Sequence, residues 1–337
     1  MTPSSDRATA RLDWTRRTLE DTQLTLEPAS ADASFRSYWR VCQAGQSWIV
    51  MDSPPALEDP APWLAIGQRL AAAGLHVPAV RAHDLEQGFL LIEDLGSQLY
   101  LPALNDASAD ALYGDALASL LIMQRDVSAD GLQPYNHAFL QRELELMPEW
   151  FLTRHLGHTP TCEEWDVLES AFTVLLGSAL EQPRCFVHRD FHSRNLLVTG
   201  QHNPGIIDFQ GALHGPITYD LASLLRDCYI VWDDARVAAW AESHRQHLVA
   251  AGLIPATVDQ TRFTRWFDLI GLQRHIKVLG IFCRLNYRDS KHGYLDDLPR
   301  VYDYVIDVAT RYPELTDFVA LLRDYVGERD LRRPVAA

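Results

Sequence analysis

The chain has 337 residues, 47% of them hydrophobic and 22% charged, the composition of an ordinary folded protein long enough for two lobes. Its formal net charge of -15 argues against nucleic acid as a partner, because phosphates need a basic face, and does not by itself select a cationic substrate, since surplus acid is usually a solvated surface. No charged leader with an apolar core opens it and no apolar run approaches about 18 residues, so a cytoplasmic protein without a membrane anchor is expected. Cys42, Cys162, Cys185, Cys228 and Cys283 lack C-x-x-C spacing and mostly lie in apolar stretches, which predicts free thiols rather than disulfides or a metal site.

Residues before about 13 are polar and read as frayed; Leu12 to Leu19, with Trp14, reads as a short helix. Leu24 to Glu27 starts a strand and residues 29–34 are a turn of small side chains. Phe35 to Val41 then alternates with period two, which places Arg36, Tyr38 and Arg40 on one face. Ala44-Gly45-Gln46 turns the chain into a third strand, Ser47 to Asp52. A helix from about Pro62 to Gly74 and two apolar strands, Val77 to Ala82 and one within Gly88 to Gly96, complete this first region. Beyond Gly96 the period becomes helical. Leu112, Ala116, Leu117, Leu120 and Leu121 make one apolar face running to about Arg125, with Asp106 or Ser108 as its cap, and helices are predicted over 139–156, 162–180, from Gly215 onward and through most of 235–326. The pattern divides at residues 1–95 and 96–337, an α+β chain with a small antiparallel sheet followed by a mainly helical part.

Between the helices stands Cys185-Phe186-Val187-His188-Arg189-Asp190-Phe191-His192-Ser193-Arg194-Asn195-Leu196-Leu197-Val198, followed by Gly205-Ile206-Ile207-Asp208-Phe209. An apolar run delivers Asp190 to a loop. Leu196 to Val198 and Gly205 to Ile207 read as short strands joined by a Gly, Asn and Pro turn, so the hairpin returns Asp208 to the side of Asn195. Phosphoryl transfer needs this inventory: Asp190 to accept or orient the proton of an attacking hydroxyl, and Asn195 and Asp208 to hold the Mg²⁺ that neutralises nucleotide phosphates.

His188-Arg189-Asp190 with Asn195, then Ile207-Asp208-Phe209, resembles the catalytic and metal-binding loops of the bilobal protein-kinase-like fold, in the branch of aminoglycoside phosphotransferases and choline kinases. Gln210 stands where protein kinases place the Gly of D-F-G. The resemblance puts the nucleotide lid at Ser30 to Ser34, with Ser34 and Arg36 toward ATP. It makes Leu91 to Gly96 the hinge whose backbone, at Glu93 and Leu95, reads adenine. It further implies His188 and Asp220 as supports of the catalytic loop, Asp220 being equally readable as an ordinary acid at a helix start. The V-A-I-K lysine is missing. Trp48-Ile49-Val50-Met51 occupies its strand, no lysine precedes Lys277, and the following helix lacks an acidic partner. A guanidinium binds phosphate bidentately, so Arg36, with Arg40 second, is expected to replace it in part; both are equally readable as surface arginines.

In this branch the C-terminal helices form the acceptor pocket. Arg274 to Tyr294 concentrates cations, an amide and aromatics, and holds both lysines of the chain, which suits a neutral or anionic sugar better than a polycationic aminoglycoside. Asp32 to Arg36, Ile49 to Pro55 and Lys277 to Phe282 with Arg284-Leu285 are similar to the anomeric N-acetylmuramate/N-acetylglucosamine kinases of bacterial cell-wall recycling, over nearly the whole chain. That resemblance implies ATP-dependent phosphorylation of a sugar C1 hydroxyl, with Mg²⁺, no membrane and no obligate protein partner. Arg284 or Lys291 could receive a lactyl carboxylate. Two alternatives remain: another small-molecule kinase of this fold, acting on an aminoglycoside, choline-like alcohol or homoserine, and a catalytically silent kinase-like binding module.

Overall fold

The computed structural model describes residues 3–31 and 35–334, so Ser34 and most of the expected lid lie outside the described residues. The strands are β1 Glu27–Ala31, β2 Ser37–Gln43, β3 Gln46–Asp52, β4 Val80–Asp84, β5 Phe89–Glu93, β6 Arg184–Val187, β7 Leu196–Leu197, β8 Gly205–Ile206 and β9 Leu213–Pro216. The helices are α1 Pro3–Thr18, α2 Ala61–Ala72, α3 Tyr100–Ala103, α4 Ala109–Asp126, α5 His137–Leu144, α6 Cys162–Leu180, α7 Tyr219–Leu225, α8 Asp234–Ala250, α9 Gln260–Asp289, α10 Leu298–Ala309 and α11 Thr316–Val326. Two compact units result, Met1–Ser119 with Arg194–Gly211, and Leu120–Ser193 with Ala212–Ala337.

The first unit is built on an antiparallel sheet of order β1-β2-β3-β5-β4. Ala44 and Gly45, both at positive φ, make the two-residue turn between β2 and β3, the twist that a tight hairpin requires. One sheet face buries Val41, Val50, Phe89 and Leu91 with Trp14 and Leu19 of the N-terminal segment. Helix α1 starts at Pro3, so the polar residues expected to fray are ordered. The reason is ionic rather than apolar. Arg7 Nε and Nη2 donate to Asp52 Oδ1 at 2.8 and 2.6 Å, Arg11 Nη1 donates to Oδ2 at 2.8 Å, and the Arg11 guanidinium lies 3.8 Å from the Trp39 ring centroid.

The β7–β8 hairpin belongs to this unit although it lies far along the chain. Its backbone is claimed by local partners: Val198 N donates to Gln98 O at 2.7 Å and Ile206 N to His76 O at 2.8 Å. Composition changes at 95/96, whereas the compact unit follows these hydrogen bonds.

In the second unit α9, about 45 Å long, is the element against which α6, α7 and α10 pack. The single helix expected over 139–156 is instead α5 followed by a π-helical turn, Met147–His155. Pro148 has no N–H to continue the ladder and its ring crowds the carbonyl four residues back, which ends α5. Gly280 of α9 lets this turn approach closely, since a Cβ there would stand 2.4 Å from the Leu146 backbone. Thr161 and Glu164 cap α6 reciprocally, at the start expected from sequence. Cys185, Cys228 and Cys283 are buried and Cys42 and Cys162 exposed, all free. No helix among the described residues is long and apolar enough to cross a membrane.

Candidate active site

In the second unit, buried β6 pairs with β9 and hands the chain to the loop His188–Ser193. Arg189 adopts φ +79, a left-handed conformation that a non-glycine residue holds only when its surroundings over-determine it. Two buried carboxylates supply that constraint. Asp220 accepts from His188 N at 2.6 Å and from Arg189 N at 3.0 Å; Asp227 accepts from Ser193 N at 2.9 Å and from the Ser193 hydroxyl, and its other oxygen takes Tyr229 N at 3.0 Å. His188 Nδ1 accepts from Asp190 N at 3.3 Å, so the buried imidazole braces the aspartate from below. Burial pushes the Asp220 carboxyl up to about 7, against the pull of its two N–H donors and Arg274. Asp220→Asn keeps one acceptor and turns an amide N–H₂ toward the second donor. It is expected to lower kcat by about 10- to 100-fold, with the ATP KM unchanged, in steady-state kinetics.

Asp190 is the exposed member of this loop, with 43% of its side chain open, and cations surround it. Arg274 Nη1 of α9 stands 3.8 Å from Asp190 Oδ1 and 3.5 Å from Arg189 O. Partial burial pushes the Asp190 carboxyl up, but Lys277, Arg274, His192 and Arg189 outweigh it and hold it well below the usual carboxylate range. The group is therefore an ionised acceptor of weak basicity.

Behind it Glu143 of α5 collects three donors: Arg189 Nη2 at 2.7 Å, Lys277 Nζ at 3.2 Å and the Tyr135 hydroxyl; Lys277 also donates to Tyr219 Oη at 3.0 Å. Lys277 and Arg274 are 3% and 4% exposed. The first part of the α9 stretch, expected as a cationic wall toward the acceptor, is thus largely an internal counter-ion network. Glu143, Asp227, Arg274 and Lys277 were not singled out as site residues by the sequence. The one available signal was Arg274 and Lys277 at i, i+3 on an otherwise apolar helix face.

In the first unit, pairing of Leu196 with Ile206 and Leu197 with Gly205 brings Asn195 Nδ2 to 3.5 Å from Asp208 Oδ2. Asp208 sits at φ +63, and Gln210 Nε2, in the place of the D-F-G glycine, donates to its Oδ1 at 2.7 Å. Phe209 is fully buried with its ring 5.1 Å from that of Trp63, over Gly67 of α2. An amide and a carboxylate side by side are hard oxygen donors of the kind Mg²⁺ takes. The described residues contain no group of three or more His, Cys, Asp or Glu that could cage a metal by itself.

Arg36, 6% exposed, donates through Nε to Glu58 Oε1 at 2.9 Å and through Nη2 to the same oxygen, and Asp208 lies within its electrostatic reach. An acidic partner therefore exists, just before α2 rather than on it. Arg40 is a different case. Asp94 binds it bidentately at 2.6 and 2.9 Å, which commits it to the segment after β5 and leaves Arg36 as the candidate phosphate ligand. Met51 is fully buried on β3. The Glu93 side chain accepts from Ala79 N at 3.2 Å and the Glu93 N–H donates to Ala79 O at 2.8 Å, so neither the carboxylate nor the N–H is turned to a base; Leu95 follows in the same segment.

Arg284 is half-buried on α9, and no ion pair among the described residues involves it; burial, then Arg288, lowers its pKa, and the charges of Glu143 and Glu149 reach it. Lys291 lies beyond the left-handed Ser290 that ends α9, beside Asp289. Arg284 is about 15 Å along α9 from Arg274 and Lys291 is farther. A row of rings leads the same way: His192 to Tyr229 at 5.5 Å, Tyr229 to Phe282 at 6.4 Å and Phe282 to Tyr294 at 5.1 Å. Aromatic walls with few polar groups are what small-molecule pockets use.

Residues 25–253 match the model of the phosphotransferase enzyme family. The chain is 45% identical over 300 residues to an N-acetylmuramate/N-acetylglucosamine kinase of Pseudomonas putida, covering 89% of this chain and 88% of that protein. It is 39% identical over 326 residues to the kinase of the same name from Neisseria meningitidis, covering 95% and 96%. Among solved structures, choline kinase LicA from Streptococcus pneumoniae aligns with a TM-score of 0.62 at 13% identity, covering 89% of this chain and 99% of that one. ADP-bound aminoglycoside phosphotransferase APH(2'')-Ib aligns with a TM-score of 0.56 at 14% identity, covering 88% and 97%. At those identities the likeness shows the protein-kinase-like fold.

Proposed function

For a chain that belongs to the phosphotransferase enzyme family, and within it to the N-acetylmuramate/N-acetylglucosamine kinases, we infer that the reaction is transfer of the ATP γ-phosphoryl group to the anomeric C1 hydroxyl of those two amino sugars, in cell-wall sugar recycling. The observation that carries this reading is Asp190, an exposed carboxylate held ionised among Arg274, Lys277 and Arg189, on a loop clamped at both ends. A base this weak suits a hemiacetal hydroxyl, which is more acidic than an ordinary alcohol. Asp190 accepts the C1 hydroxyl's hydrogen bond and aims its oxygen at phosphorus.

Asn195 and Asp208 are the Mg²⁺ ligands in this reading, and Gln210 keeps Asp208 turned toward the ion. Bound Mg²⁺ supplies charge neutralisation at the phosphates. Arg36 takes a phosphate oxygen, and the backbone of the Glu93 to Leu95 segment takes adenine. His188 and Asp220 hold the loop. Arg284 is preferred over Lys291 for the lactyl carboxylate of N-acetylmuramate, because it lies nearer the Asp190 end of α9 and lacks an ion-pair partner among the described residues. The enzyme acts in the cytoplasm on small molecules.

ADP release in a coupled assay with Mg-ATP and a panel of sugars and alcohols tests this. Stimulation by N-acetylmuramate and N-acetylglucosamine, with the product's phosphate at C1 by NMR, is the expected result. Stimulation only by choline, homoserine or an aminoglycoside, or no ADP release with any acceptor, refutes it. Arg284→Met is expected to raise the KM for N-acetylmuramate about tenfold and leave that for N-acetylglucosamine, which has no carboxylate, unchanged.

A further inference from the structure

We propose that Glu58 is a positioning residue for the nucleotide phosphates, acting through Arg36, and that this pair replaces the absent β3 lysine and its acidic partner. The inference rests on the kinase reading above and goes beyond it. Arg36 stands just before β2, and its side chain is 4% exposed, against 26% for Glu58. The two bonds run from different guanidinium nitrogens to one carboxylate oxygen, Oε1. Such a fork fixes the plane of the guanidinium as well as its place.

Glu58 is itself held. Its N–H donates to Pro54 O at 3.0 Å, its carbonyl accepts from Ser53 Oγ at 3.0 Å, and Ser53 N donates to Gly88 O at 2.8 Å, which ties the turn to the end of β3 and the start of β5. The cation so fixed lies within electrostatic reach of Asp208. A buried guanidinium near the carboxylate assigned to Mg²⁺ is placed where the β- and γ-phosphates that share the ion would lie. Met51 explains the arrangement from the other side. It is fully buried on β3 and carries no charge, and the cation comes instead from the residue just before β2.

Binding measured by calorimetry without acceptor separates this role from a structural one. Wild-type protein is titrated with AMP, and with ADP in the presence of Mg²⁺. Glu58→Gln and Arg36→Gln are each expected to weaken MgADP binding about tenfold and leave AMP, which lacks the β-phosphate, within twofold. The double variant should bind MgADP no more weakly than Arg36→Gln alone, because Glu58 has no route to phosphate except through Arg36. Arg36→Lys should recover part of the loss. Equal weakening of AMP and MgADP, additive losses in the double variant, or unchanged MgADP binding in Glu58→Gln each overturn the proposal. Wild-type protein that binds no MgADP would instead sink the kinase reading itself. A variant that does not fold is replaced by Glu58→Asp, whose shortened carboxylate should show the same selective loss.

Discussion

Asp190→Asn is expected to reduce turnover at least about 100-fold while MgADP binding stays within twofold of wild type. The amide is nearly isosteric, so the clamps from Asp220 and Asp227 on the loop backbone are retained. What is removed is the negative charge that the C1 hydroxyl donates to. The same substitution also leaves Arg274, 3.8 Å away and 4% exposed, without its nearest exposed carboxylate. Because the cations hold Asp190 well below the ordinary carboxylate range, wild-type kcat should not fall through protonation of this group anywhere between about pH 5 and 8. Near-normal turnover of the Asn variant, or a wild-type acid limb in that window that the variant abolishes, would remove the assignment.

Glu143→Gln is expected to be the most damaging single change to stability. Its carboxylate receives Arg189, Lys277 and Tyr135, and removing its charge leaves buried Lys277 and half-buried Arg189 without their shared counter-ion. Breaking a buried pair costs about 3–5 kcal/mol, which for a protein of this size lowers Tm by about 4–7 °C in a thermal-shift measurement. Burial pushes the Glu143 carboxyl up, but Lys277 and Arg189 outweigh it and hold it below its ordinary value. A carboxylate whose folded pKa is depressed contributes stability above its unfolded pKa and loses it as pH falls through the folded one. The Tm gap between wild type and variant should therefore be flat from about pH 8 to 5 and narrow only below the ordinary glutamate range near 4. Turnover should fall as well, since Arg189 forms part of the Asp190 loop. A gap below 3 °C, or one that closes as pH rises, would contradict this assignment of the charge.

Asp190, Asn195 and Asp208 stand out in the sequence as candidates because the pattern is nearly contiguous. A loop residue, an amide five positions later and a short hairpin ending in a carboxylate need only local geometry to be interpreted, and period-two and period-3.6 patterns needed no distant partner to reveal the sheet and helices. Arg36 could be named from the period-two face of residues 35–41, but its partner could not. Glu58 lies in a turn with no periodicity, and only the close of the β3–α2 connection aims it at Arg36. The polar start of α1 looked frayed for the same reason, since its order comes from Asp52 on another element.

The residue types alone determined the reaction class, through two carboxylates and an amide at fixed spacing, and through the missing lysine that the chemistry must replace. Tertiary structure alone decided which charges are buried and neutralised: that Lys277 and Arg274 face inward to Glu143 and Asp190, that Asp227 shares the bracing of the loop with Asp220, and that Arg40 is taken by Asp94. The physical reason is that apolar burial repeats along the chain and leaves a period, whereas a buried charge is tolerated only by its partner, and nothing in the local pattern records where that partner is.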